Sequence, residues 1–196
     1  NVKYFKGIFQ GTGSSNSNFT LDTSNFDTSN VIDFGNMFYT TGYKSTIFTL
    51  DVSNFDTSKV TNMNSMFYNT GYSNPTFTLD VSNFDTSNVT DMSSMFSSTG
   101  YSSTELTLDV SNFDTSKVTS MERMFYQTGY NSTKLNTSIT IRNPNITSYD
   151  YMFIGVAVKD GSQIIVNYTS ETSDLVDSMI ATKSTNSNVV KGVQVD

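Results

Sequence analysis

One periodicity limits what this chain can become more than any other feature. Phe26, Phe55, Phe84 and Phe113 recur at a constant step of 29, and Leu21, Leu50, Leu79 and Leu108 keep it. Met37, Met66, Met95 and Met124 follow it too, and Gly42, Gly71, Gly100 and Gly129 close each unit. Self-similarity at a fixed period of this size specifies a stack of like units, each contacting its neighbours. Upstream, Val2, Phe5, Ile8, Phe9 and Gly13 sit one full step before Val31, Phe34, Met37, Phe38 and Gly42. The chain thus starts within a repeat, which predicts further sequence upstream or another molecule over that edge. Downstream, Ile146, Tyr149, Met152 and Phe153 follow Val118, Met121, Met124 and Phe125 at a step shortened by one, to 28. A different tail succeeds them.

The unit FTLDVSNFDTSKVTNMNSMFYNTGY, residues 48–72, reads as strand, turn, short helix, turn. Phe48, Leu50 and Val52 alternate with polar residues, the period of a half-buried strand. Asn54 to Ser58 carries Asx-turn residues that end it. Val60, Met63, Met66 and Phe67 then recur at three and four, one face of a short helix. Thr61 fits the N-cap, the equivalent Thr119 has Glu122 at capping-box distance, and Gly71 fits the left-handed C-terminal position. Stacked strands would pair at about 4.8 Å per rung. The fold expected is therefore an α/β repeat solenoid, a leucine-rich-repeat-like right-handed stack with a parallel sheet. A β-helix and an all-helical array share the period, but the switch from two to 3.6 within each unit favours the leucine-rich-repeat type.

Boundaries follow from the same register. A partial repeat covers 1–13, full repeats run to about 134 and a degenerate repeat fills 135–159, which closes the solenoid. In the tail, 162–168 (SQIIVNY) reads as a strand, 170–182 as an amphipathic helix and 189–195 as an edge strand. A solenoid needs an atypical end over its last open face, so 160–196 reads as a C-terminal cap.

Composition removes whole classes of chemistry. No His and no Cys are present, which excludes Ser-His-Asp and Cys-His catalysis, imidazole or thiolate metal sites, and disulfides. A net charge of −7 and a pI near 4.4 argue against nucleic acid as a partner. The 15 Phe and 11 Tyr make the chain too aromatic for a disordered tail. No apolar run is long enough to span a membrane.

The string FDTSNVTDMSSMF, residues 84–96, and its relatives at 26, 55 and 113 resemble the BspA-like leucine-rich-repeat surface proteins of bacteria, over roughly residues 1–155. That resemblance implies a secreted or surface-displayed protein that adheres to a host or partner protein or glycan. It also implies other domains in a longer parent chain. The segment YNTGYSNPTF, residues 68–77, departs from the family's shorter turn and widens one edge loop.

Three sets of columns are candidate sites. Asp51, Asp80 and Asp109, with Asp22, form an acidic ladder between the columns Thr20/Thr49/Thr78/Thr107 and Ser24/Ser53/Ser82/Ser111. A surface for a cation, calcium included, or for a cationic partner is one reading. The preferred one is hydrogen bonding within the Thr and Ser columns, because calcium needs six to eight converging oxygens, so no cofactor is expected. Asp27, Asp56, Asp85 and Asp114 read as turn residues that bond backbone amides two positions ahead. Tyr43, Tyr72, Tyr101 and Tyr130 follow each Gly, while Tyr39, Tyr68 and Tyr126 follow Met-Phe. They read either as a surface for sugar rings or proteins, or as edge packing; the Met columns read as core. Carboxylates copied into like environments cannot separate their pKa values as an acid–base pair must, so no enzyme is expected. The resulting expectation is an adhesin-type binding module, with a rigid spacer as the alternative. Asn-x-Ser/Thr sites such as Asn18, Asn88 and Asn131 follow from composition alone.

Overall fold

The structure, a computed structural model, describes residues 2–195. Its chain winds as a parallel β-solenoid with one strand per turn. The strands are β1 (Asn18–Leu21), β2 (Ile47–Leu50), β3 (Thr76–Leu79), β4 (Glu105–Leu108), β5 (Asn136–Ile141), β6 (Gln163–Tyr168) and β7 (Val189–Gln194). Strand β1 pairs in parallel with β2, β3 with β4, and β6 with both β5 and β7. Equivalent residues stand in register, Phe19 beside Phe48 and Leu79 beside Leu108. A second line of parallel bridges runs through Tyr4, Asp33, Asn62, Asp91, Ser120 and Ser148.

The sheet is not continuous, and single residues explain the breaks. Pro75 occupies the position from which Thr46 and Thr104 donate their N–H groups to Ser17 O and Pro75 O. Proline has no N–H to give. The buried Asn74 side chain spans the gap instead, donating to Phe48 O at 3.0 Å and accepting from Thr76 N at 3.3 Å. Between β4 and β5 the hydroxyls of Ser132 and Thr137 accept the N–H groups of Leu106 and Val110.

The short helices expected in each unit do not form, which corrects the leucine-rich-repeat reading. In their place stands a wall of consecutive turns whose N–H groups alternate between two destinations. Met37, Tyr39 and Thr41 donate to the carbonyls three residues back, whereas Phe34, Asn36, Phe38 and Thr40 donate to Asn62, Asn64, Met66 and Tyr68 of the next rung. A helix would satisfy all of these groups within one segment. Here half of them join neighbouring rungs, so the wall is a second cross-linked face. The turns require positive φ at non-glycine positions: Asn36, Ser65, Ser94 and Arg123 lie at 52–56°, and Thr40, Asn69, Ser98 and Gln127 at 53–56°. Thr61 and Thr119 cap no helix; their hydroxyls donate to Ile32 O and Thr90 O of the preceding rung. Gly71 does adopt φ +59°, and it ends the wall by donating its N–H to Thr41 O.

Between the strands and the wall lies one uninterrupted core. Phe9, Phe38, Phe67, Phe96, Phe125 and Phe153 stack face to face with centroids 5.5–6.0 Å apart. Met63, Met66, Met92, Met95, Met121 and Met124 are wholly buried in the same core. Each such side chain contributes about 1.5–3 kcal/mol through burial, and offset stacking adds to the Phe column. Thr41, Thr70, Thr99 and Thr128 line the core's edge and donate to Phe9 O, Phe38 O, Phe67 O and Phe96 O.

In the tail, α1 (Ser173–Ile180) lies against β6 and β7 and buries Val176 and Met179. Lys191 fastens it: its ammonium donates to Ser173 O and Asp177 Oδ2 and sits 4.6 Å from the Tyr168 ring centroid.

Candidate functional site

Asp51, Asp80 and Asp109 project with Asp22 from the solvent face where each strand ends. Each carboxylate accepts the N–H of the serine two residues ahead, Ser53, Ser82, Ser111 or Ser24, at 2.9 Å. Bonds from these serines hold the carboxyls of Asp22, Asp51 and Asp80 below their ordinary pKa. The hydroxyls of Thr20, Thr49, Thr78 and Thr107 are not among the donors, so the reading that both columns bind the carboxylates holds for serine only. Asp109 alone gains a threonine: the Thr137 hydroxyl donates to its Oδ1 at 3.1 Å. Partial burial pushes the Asp109 carboxyl up, and bonds from Ser111 and Thr137 more than offset it, leaving it lowered.

The second acidic column repeats the same local geometry. Asp27, Asp56, Asp85 and Asp114 accept from the N–H groups of Ser29, Ser58, Ser87 and Ser116 at 2.8–3.0 Å. Among the described residues, no group of three or more acidic side chains converges on a point that would hold a metal ion. Each carboxylate serves its own turn.

The tyrosines form one complete ladder and one interrupted ladder. Tyr43, Tyr72, Tyr101 and Tyr130 are half-buried and stack at 4.6, 4.8 and 5.0 Å between centroids. Burial pushes the Tyr72 hydroxyl up, with Tyr43 and Tyr101 adding to it. Inner ring faces are used in stacking, so the ladder presents its edges and hydroxyls to solvent. In the other column Tyr39 stacks on Tyr68 at 4.6 Å. One rung later Ser97 takes the tyrosine's place, 1% exposed, its Oγ buried without a hydrogen-bond partner. Tyr126 resumes the column.

One feature of the surface escaped sequence reasoning. A shallow cleft of about 310 Å³ opens where the repeat changes, between Asp109 and Ser111 of one rung, Asn136 and Ser138 of β5, and Gln163 and Ile165 of β6. Its origin is a step in the sheet. The earlier strands are four residues long and turn away at their aspartate, whereas β5 and β6 run straight on for six. The shortening of the period by one position marked the place, and the polar run NTSITI of β5 marked its chemistry.

Comparison with known proteins adds a family. A family model described as Mycoplasma protein of unknown function, DUF285, matches residues 1–75 and again 43–168. No curated protein matches the chain, and no solved structure does.

Proposed function

The chain belongs to this repeat family of unknown function, and from its surface we propose a non-enzymatic binding module, secreted or displayed at a cell surface. It would recognise a host or partner protein or glycan through the solenoid surface, as an adhesin does. The half-exposed ladder Tyr43–Tyr72–Tyr101–Tyr130 carries this reading. Tyrosine edges and hydroxyls set 4.6–5.0 Å apart offer a rigid amphipathic strip, and such contact area orders few rotatable bonds when a partner docks. The resemblance of FDTSNVTDMSSMF to BspA-like repeats supports the surface location. The like serine-bonded environments of Asp22, Asp51 and Asp80 support a non-catalytic role, since acid–base work needs carboxylates pushed apart in pKa.

Binding of the purified chain to matrix proteins and immobilised glycans tests this reading, with Tyr43/Tyr72/Tyr101→Ala as comparison. Capture that falls at least tenfold in the folded triple variant supports the tyrosine strip. Capture untouched by that change removes the strip, and the absence of any capture removes the module.

A spacer is the second reading, favoured by the unbroken Phe9–Phe153 stack and by the hydrogen bonds that tie each rung's wall to the next. Such a rod would hold another domain away from its anchor. It expects surface exchanges to be silent and deletion of whole rungs to shorten the reach.

A further inference from the structure

We infer that the cleft at the step between β4 and β5 is a saccharide-binding site. This rests on the binding-module reading and names the ligand class at one place on it. From β1 to β4 successive rungs repeat a four-residue strand and the same aspartate turn, although Pro75 interrupts the backbone pairing between β2 and β3. Like units stacked in register repeat the same relief at every rung. The step at Asp109 breaks that uniformity, because the chain before it bends away while β5 and β6 continue. Thr137 accompanies the change. It takes the inward position that Leu21, Leu50, Leu79 and Leu108 hold in the earlier rungs, and its hydroxyl binds Asp109 Oδ1 and the Val110 N–H.

The lining then selects the ligand. Asp109 Oδ1 is engaged by the Ser111 N–H and the Thr137 hydroxyl, which leaves Oδ2 as an oriented acceptor. The Asn136 amide nitrogen donates to Gly161 O at 2.8 Å, which fixes the amide and leaves its carbonyl oxygen to accept from a ligand. The Ser111 and Ser138 hydroxyls both donate and accept, and the Gln163 amide, one N–H of which donates to Asn188 Oδ1 at 3.4 Å, keeps its second N–H and its carbonyl oxygen for a ligand. Ile165 adds an apolar patch within the cleft. A sugar ring matches that mixture, with hydroxyls that donate and accept at once and a C–H face for the isoleucine. A phosphate or carboxylate ligand would find no cation in the lining. A Lys or Arg side chain would find one carboxylate, already hydrogen-bonded twice. The volume of about 310 Å³ lies at the small end of ligand sites, enough for one or two sugar units.

Saturation-transfer NMR and titration calorimetry on the whole chain test the site, with lactose, maltose, cellobiose, chitobiose and mannobiose as probes. Ser138→Leu and Gln163→Ala alter the lining without removing the Asp109 turn, and unchanged melting curves establish that both variants fold. At least one probe is expected to bind, to weaken at least tenfold in both variants, and to be unaffected by Lys44→Ala, an exposed side chain on an earlier rung. Sugar binding that survives both variants overturns the cleft as its site and leaves the module reading standing. Binding of a Lys- or Arg-rich peptide or a matrix protein, with no sugar bound, overturns the ligand class alone. No binding by any of the sugars overturns the saccharide site, and the module reading falls only if matrix proteins are not captured either.

Discussion

Ser97 and Thr128 offer a paired test of how hydroxyls are managed inside this solenoid. Both are buried, at 1% and 0% exposure. Thr128 Oγ1 donates to Phe96 O at 2.7 Å, whereas Ser97 Oγ has no partner. A buried polar group left unpaired costs about 1–3 kcal/mol, and a made hydrogen bond contributes about 1 kcal/mol net. Ser97→Ala should therefore stabilise the protein by about 0.5–1.5 kcal/mol, after allowing for the dispersion attraction that leaves with one oxygen atom. Thr128→Val keeps the shape, removes a satisfied donor and should cost about 1 kcal/mol. For a chain of this length the two variants should melt about 4–8 °C apart, in opposite directions from the parent. Urea unfolding followed by tyrosine fluorescence and far-ultraviolet circular dichroism measures both. If Ser97→Ala loses as much stability as Thr128→Val, the Ser97 hydroxyl has a partner and the account of this rung fails.

Other perturbations separate the remaining elements. Gly42 and Gly11 both have positive φ, but a Cβ on Gly42 would lie 2.7 Å from the Phe48 ring while one on Gly11 has nothing closer than 3.8 Å. Gly42→Ala should therefore lower the melting temperature clearly more than Gly11→Ala, and equal losses would show that the ring does not set the position. Phe67→Ala empties one step of the aromatic column and should cost about 3–5 kcal/mol in denaturant unfolding; a loss below about 1 kcal/mol would contradict the continuous stack. Asn74→Ala strands Phe48 O and Thr76 N, and amide exchange of Thr76 should accelerate well before that of β4. Acid provides a further test. Ser58, Ser82 and Ser87 hold Asp56, Asp80 and Asp85 below the ordinary 3.8, so the stability these groups add is present above that value and lost as pH falls through their lower folded values. The urea midpoint should drop on acidification below about pH 4, and Asp56→Asn with Asp85→Asn should flatten that dependence; a midpoint constant down to about pH 2.5 would refute it.

The stack was legible because identical apolar residues at one step leave little else for them to do. Val60, Met63, Met66 and Phe67 are core residues in the structure, as their spacing requires. What that spacing did not reveal is the backbone beneath them. A row of turns, each closing onto the carbonyl three residues back, also presents inward residues at three and four. Positive φ at Ser65 or Arg123 costs about 1–2 kcal/mol, which no local propensity would accept. The compensation comes from hydrogen bonds to the adjoining rung, and a single unit read alone has no adjoining rung. Asn36 and Asn69 hint at such turns, because Asn tolerates this region; Arg123 and Gln127 do not. The cleft was legible only as an interruption: the sequence marks where the period shortens and is silent on the concavity that results.

The alternating wall also restricts how a gene for this protein can change length. Along it Asp91 pairs with Ser120 and Ser120 with Ser148, steps of 29 and then 28, yet the donors stay in phase, Met92 to Ser120 O and Met121 to Ser148 O. The residue missing from the last step was removed elsewhere on the rung. One codon gained inside the wall would exchange inward donors with cross-rung donors from that point to the wall's end. Deletions and insertions should therefore survive as whole rungs, or in the strand-side loops, and the wall should keep its length through every duplication.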